Sequence, residues 1–192
     1  MKAAAKVQFG TDSLEGKKIA VQGVGHVGEY LVESLAKEGA QIYISDIHED
    51  TLKHVADTYG ASVVGLDEIY DVDMDIYAPC ALGATVNDDT LGRLKCSIIA
   101  GAANNQLADE TVHGEIVKDR GMIYVPDFMI NAGGVINCYA EVDGRSSEWA
   151  MEKAADIYNT TLTILERSSS ENIPTYKIAN AMAEERIIAA KQ

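Results

Sequence analysis

Lys17-Lys18-Ile19-Ala20-Val21-Gln22-Gly23-Val24-Gly25-His26-Val27-Gly28 is the stretch on which the fold turns. A short apolar run ends in three glycines spaced G-x-G-x-x-G. Behind them Val27, Leu31 and Leu35 recur at i, i+4 and i+8, the spacing of a helix with one apolar face. The glycines thus stand where a strand hands over to a helix, and each has its own steric duty. Gly23 permits a tight turn, Gly25 removes the side chain that would block a pyrophosphate, and Gly28 lets the helix lie close to the sheet. The free N–H groups and positive dipole end of that helix face the phosphates, so Gly23, Val24, Gly25, His26, Val27 and Gly28 form the expected cradle. A glycine turn of purely structural purpose is the alternative.

Context favours the cradle. The next apolar run, Gln41-Ile42-Tyr43-Ile44-Ser45-Asp46, ends in an acidic residue about twenty positions past the turn, where a carboxylate accepts hydrogen bonds from a ribose hydroxyl. With Ile47 beside it, Asp46 is expected at the adenosine ribose, and a 2′-phosphate there would meet like charge. The expected cofactor is therefore NAD rather than NADP. The competing role for Asp46 is to cap the helix that begins near Glu49.

Further apolar runs alternate with helical patterns. The expected strands are 17–22, 41–46, 62–65, 75–79, 97–101 and 122–126, and several are apolar almost throughout, as strands covered on both faces are. This rhythm predicts a Rossmann-type doubly wound α/β fold with a mainly parallel sheet. Gly39 is expected to stop the first helix. Ala150, Ala154, Ile157, Leu162 and Leu165 mark one long helix from about Ser146, and Thr175 is the expected N-cap of a last helix, so the final 45 or so residues are helical. Nothing divides residues 1–192 into more than one domain.

Composition narrows the function. With 47% hydrophobic and 24% charged residues the chain reads as an ordinary globular protein, without an apolar run of membrane-spanning length or a secretion signal, so a cytoplasmic location is expected. A net charge of −14 argues against a nucleic-acid partner. Cys80, Cys96 and Cys138 are odd in number and lack C-x-x-C spacing, which predicts buried reduced thiols rather than disulfides or a zinc site. His26 and His113 have no metal-ligand spacing and are expected to be solvated or locally bonded. Trp149 is assigned to core packing, with an anchor against another domain or subunit as the alternative.

Three more stretches carry a resemblance. Tyr77-Ala-Pro-Cys-Ala-Leu-Gly83, Ile99-Ala-Gly-Ala-Ala-Asn-Asn-Gln106 and Pro126-Asp-Phe-Met-Ile-Asn-Ala-Gly-Gly-Val-Ile-Asn137 resemble the glutamate, leucine, phenylalanine and valine dehydrogenase family, and its leucine-type members most closely. The resemblance covers the whole chain but only the cofactor-binding domain of the family. It implies oxidative deamination of leucine or another branched-chain L-amino acid to the 2-oxo acid and ammonia, with hydride passing from the α-carbon to the nicotinamide. It also implies that the substrate-binding lysine, the general-base lysine and the aspartate belong to an N-terminal domain outside this chain, leaving no catalytic residue here. A dinucleotide-binding module without catalysis is the alternative reading. By resemblance, the Ala78-Pro79-Cys80-Ala81 loop lies beside the nicotinamide ribose, Asn104 and Asn131 lie at the nicotinamide end, and Val135 and Cys138 line the pocket for an aliphatic side chain. Cysteine at 138 stands where the family usually has valine. Core packing is the other reading for Val135 and Cys138, and an apolar-lined loop position rather than a nucleophile is expected for Cys80. A homo-oligomer is possible, since relatives associate largely through the other domain.

Overall fold

The computed structural model describes residues 1–191. The chain opens with α1 (Lys2–Phe9), β1 (Lys18–Gln22), α2 (His26–Lys37), β2 (Gln41–Ser45), α3 (Glu49–Tyr59) and β3 (Ser62–Val63). A 3₁₀ turn at Glu68–Asp71 leads to β4 (Ile76–Pro79), α4 (Asp88–Leu91), β5 (Ile98–Ile99), α5 (Glu110–Asp119) and β6 (Ile123–Tyr124). Helices α6 (Asp127–Ile130), α7 (Gly133–Val142), α8 (Ser147–Ala155), α9 (Ile157–Glu171) and α10 (Thr175–Ala190) complete it. The sheet runs β3-β2-β1-β4-β5-β6 and every pairing is parallel. The strand order therefore reverses between β1 and β4, and the crevice outside their carboxyl ends is where open α/β sheets bind ligands.

Alternation along the strands builds two cores. Ile19, Val21, Ile42, Ile44, Ile76, Ala78 and Ile98 meet α2, α3 and α9 on one face, through Val32, Leu35, Leu52, Val55 and Leu165. Ala20, Tyr77, Ile99 and Tyr124 meet Ile69, Leu91 and Val117 on the other. A small third cluster of Ile164, Ile178 and Ala179 pins α10 to α9.

The six expected strands are present and each is shorter than expected, β3, β5 and β6 by the most. Gly101 ends β5 early because the chain there lies against β4: a Cβ on Gly101 would sit 2.1 Å from the Pro79 carbonyl oxygen. The long C-terminal helix is two helices, since Asp156 interrupts it and takes the Asn159 amide on its carboxylate. Thr175 is not an N-cap. It is the first residue of α10 after Pro174, and its hydroxyl donates to the Tyr124 carbonyl at 2.7 Å, tying the helix to β6. On α2 the buried stripe is Gly28, Val32 and Leu35, while Val27 is 58% exposed. Gly39 follows α2 with φ +77°.

Candidate dinucleotide site

The glycine turn owes its shape to three different constraints. Gly23 has φ +95°, donates its N–H to the Ser45 carbonyl at 2.7 Å, and lies so near Ala81 that a Cβ would come within 2.5 Å of that residue's own. Gly28 is packed under the turn, where a Cβ would fall 2.1 Å from the Gly23 oxygen. Gly25 differs: its φ is −62° and an added Cβ would meet nothing within 4 Å. No backbone strain calls for glycine there. The open space at the N-terminus of α2 is the room a phosphate group needs, bounded by helix N–H groups.

Asp46 lies just past β2 and faces this turn. Its Oδ2 accepts the Val24 N–H at 2.8 Å and its Oδ1 accepts the His48 N–H at 2.9 Å. Asp46 does not cap α3, whose N-cap is His48 with no side-chain cap bond; its carboxylate closes the turn after β2 and keeps lone pairs for further donors. A cleft of about 510 Å³ joins these groups, lined by Gly23, Gly25, Asp46 and Ile47 with Cys80, Ala81 and Leu82. Cys80 is half-buried in the cleft wall, and desolvation there pushes its thiol up to about 11, which fits an inert wall residue rather than a nucleophile. His26 is exposed and packs edge-on against Tyr30 at 5.1 Å.

Two residues named from sequence turn away from the cleft. The side chains of Val24 and Ala78 are wholly buried in the sheet core, leaving only their backbones for a ligand. Ala78 and Pro79 are the end of β4 rather than loop; the loop begins at Cys80.

The glutamate/leucine/phenylalanine/valine dehydrogenase family model matches residues 43–192. The chain is 51% identical over 97% of its length to leucine dehydrogenase of Thermoactinomyces intermedius, and 52% identical over 97% to that of Bacillus subtilis (strain 168). The chain belongs to this family. The solved structure of L-tryptophan dehydrogenase from Nostoc punctiforme superposes with a TM-score of 0.96 over 99% of the chain, at 42% identity. The chain spans about half the length of these relatives, 51% of each leucine dehydrogenase and 57% of the tryptophan enzyme's chain.

The motifs that carry the family resemblance converge at one edge of the sheet. Asn131, capping α6, donates to the Asn104 side chain at 2.6 Å and to the Ala102 carbonyl at 3.3 Å, so the loops after β5 and β6 share one amide pair. The loops after β4 and β5 are zipped beside it by Ala84 N–H to Asn105 carbonyl at 2.7 Å and a bridge between Val86 and Leu107. Gly83 is obligatory in that seam, as a Cβ would lie 2.6 Å from the Asn104 oxygen.

Val135 and Cys138 are exposed on α7, Val135 by 74%. Core packing is thus excluded for this pair, and Cys138 corrects the expectation that every thiol is buried. Only Ala140 of α7 is buried, which leaves an apolar helix face bare. Trp149 is likewise not core: it is half-buried at the surface, 5.9 Å from the Tyr139 ring and flanked by Arg145 and Lys153. His113 is buried, with Nδ1 bonded to the Asp109 N–H at 2.9 Å, so it is locally bonded and not solvated.

Sequence reasoning missed two supports of the site. Gln106 is fully buried, its amide holding the Gly101 and Ala103 carbonyls, and its N–H donates to the buried Asp127 at 2.9 Å. That link fixes the loop after β5 to the start of α6. Asp127 directly follows Pro126 at a strand end, a position typical of helix-start carboxylates, and this was the available signal.

Proposed function

We propose that the chain is the NAD(H)-binding half of an amino-acid dehydrogenase that oxidatively deaminates leucine or another branched-chain L-amino acid. The observation that carries this reading is the pairing of Asp46 with the Val24 N–H across the open side of Gly25. A phosphate space without strain and a diol acceptor held at its rim fit a dinucleotide whose adenosine ribose lacks a 2′-phosphate.

In this reading a bound NAD would supply the acceptor for hydride from the substrate α-carbon. The chain's own residues orient and exclude. The α2 N-terminus takes the pyrophosphate, Asp46 the ribose, Cys80 and Ala81 wall the second ribose, and the Asn104–Asn131 pair offers amide groups to the carboxamide. Val135 and Cys138, presented on the bare face of α7, contact the aliphatic side chain of the substrate. No group in the described site is placed to hold a substrate carboxylate or activate water, and these tasks fall to the half of the relatives that the chain does not span. Residues 1–192 then act as one dinucleotide-binding domain, with a homo-oligomer formed through the other half.

Titration with NADH and NADPH tests the binding role, together with an assay for leucine-dependent NADH formation. Tight binding of NADH over NADPH supports the reading; equal affinities for the two, or no binding of either, overturn it.

A further inference from the structure

The cleft has a wall that the glycine turn, Asp46 and the family motifs do not account for. It is the 3₁₀ turn Glu68–Asp71, which presents Tyr70 to the same cleft that Gly25 and Asp46 line. Four residues cannot hold helical geometry by themselves, because nucleation fixes several dihedrals for each hydrogen bond gained. Arg93 supplies what is missing. Its guanidinium makes paired bonds to the Asp67 carboxylate at 2.7 and 3.0 Å and to the Asp71 carboxylate at 3.0 and 2.7 Å, and a further bond to the Asp67 carbonyl at 2.7 Å. Both ends of the turn are thereby clamped, and the cation lies 5.3 Å from the centre of the Tyr70 ring. Single exposed ion pairs are worth little, but two bidentate pairs on one planar fork fix geometry as well.

From the other side a hydrogen-bond chain sets the Tyr70 hydroxyl. Tyr77 is fully buried and donates to Gln22 Oε1. That contact fixes the orientation of the Gln22 amide, and its Nε2 donates to the Tyr70 oxygen at 2.7 Å. The Tyr70 oxygen is therefore engaged as an acceptor, and its own proton is left for a group in the cleft. With pyrophosphate at Gly25 and ribose at Asp46, the part of the ligand that continues along the cleft is the base. Exposed Ile47, Leu66 and Leu82 give it apolar walls.

We infer that Tyr70 recognises the purine base, donating its O–H to a ring acceptor, and that Arg93 and Gln22 are positioning residues that hold it there. This rests on the dinucleotide reading above. The test is calorimetric titration of wild type, Tyr70→Phe and Arg93→Met with NADH, ADP-ribose and reduced nicotinamide mononucleotide, which lacks the adenosine half, alongside thermal midpoints. One neutral hydrogen bond corresponds to a loss of about fivefold to tenfold. Tyr70→Phe is expected to show that loss for NADH and ADP-ribose, with the mononucleotide unaffected. Arg93→Met should reproduce the pattern with the phenol intact, and Arg93→Lys should restore part of it. Unchanged ADP-ribose affinity in Tyr70→Phe overturns the inference while leaving the dinucleotide reading in place. So does an equal loss for all three ligands accompanied by a lower midpoint, which marks a merely structural role. Failure of wild type to bind either NADH or ADP-ribose overturns the dinucleotide reading itself.

Discussion

Gly25 and Gly28 lie three residues apart and are glycine for opposite reasons. A side chain at 25 would project into empty space, so Gly25→Val is expected to fold with a loss near 1 kcal/mol from the poorer N-cap, and to abolish NADH binding. Retained affinity in the folded variant would place the phosphates elsewhere. At Asp46 the expectation concerns selectivity. Asp46→Ser removes the charge that repels a 2′-phosphate, and the ratio of NADPH to NADH dissociation constants should narrow by about tenfold, or ~1.4 kcal/mol. A ratio as wide as that of wild type would deny Asp46 its role. The thiols separate by burial. Burial pushes Cys80 up to about 11 and Cys96 up to about 12, while Cys138 is exposed. At pH 8 the thiolate fraction of Cys80 is then roughly one in a thousand. Labelling the native protein with a thiol reagent should modify one cysteine quickly, and all three after denaturation. Rapid modification of Cys80 would refute its assignment as an inert wall residue.

Between elements, the close approaches are made where glycine lets one backbone rest on another. Gly28 seats α2 on the turn after β1, and Gly101 seats the end of β5 on Pro79. Neither contact involves a flexible side chain that could swing aside, since the obstructing atoms are mainly backbone. Gly28→Ala is therefore expected to cost about 2 kcal/mol or more, as overpacking does, and to lower the thermal midpoint by several degrees. It should weaken NADH binding only as a consequence. The contrast with Gly25 is the check: a Gly28→Ala variant as stable as wild type would show that α2 is not seated as described. At the far edge, the Asn104–Asn131 bond, the Gly83 seam and the Gln106–Asp127 link make three loops one rigid rim, so a substitution in any of them should disturb the others.

For the molecule as a whole, the distribution of bare and covered surface separates binding from turnover. On the proposed reading the phosphate space at Gly25, the ribose carboxylate of Asp46 and the Asn104–Asn131 amide pair all come from this chain. By contrast α7 exposes Val135, Tyr139 and Val142, an apolar face that no other described part of the chain covers. The chain alone is expected to bind NADH and to give no leucine-dependent NADH formation above background. Positioned proton transfer alone is worth about 10² to 10⁴ in rate, and the carboxylate and imidazole that line the cleft, Asp46 and His48, belong to the turn after β2, at the proposed ribose end. Robust turnover by the isolated chain would overturn this division of labour, whereas activity restored by fusion to a leucine dehydrogenase N-terminal half would support it. Among the described residues no helix is long and apolar enough to cross a membrane.

What the sequence determined by itself was the class of fold, the six strands and the position of the glycine turn, because period-two and period-3.6 patterns and G-x-G-x-x-G spacing are local signals. Tertiary structure alone decided how far each strand ran, since strand length depends on what the neighbouring chain presents, as Pro79 does to Gly101. It broke the C-terminal helix at Asp156, although the apolar spacing runs through unbroken. It turned the Thr175 hydroxyl from capping to a bond with Tyr124, and it showed that Gly25 is open where Gly28 is crowded, a difference that two identical residues cannot declare. It also brought Arg93 and Asp67, 26 positions apart, around Tyr70. Such a clamp has no periodicity to betray it, because its partners meet only once the sheet has formed.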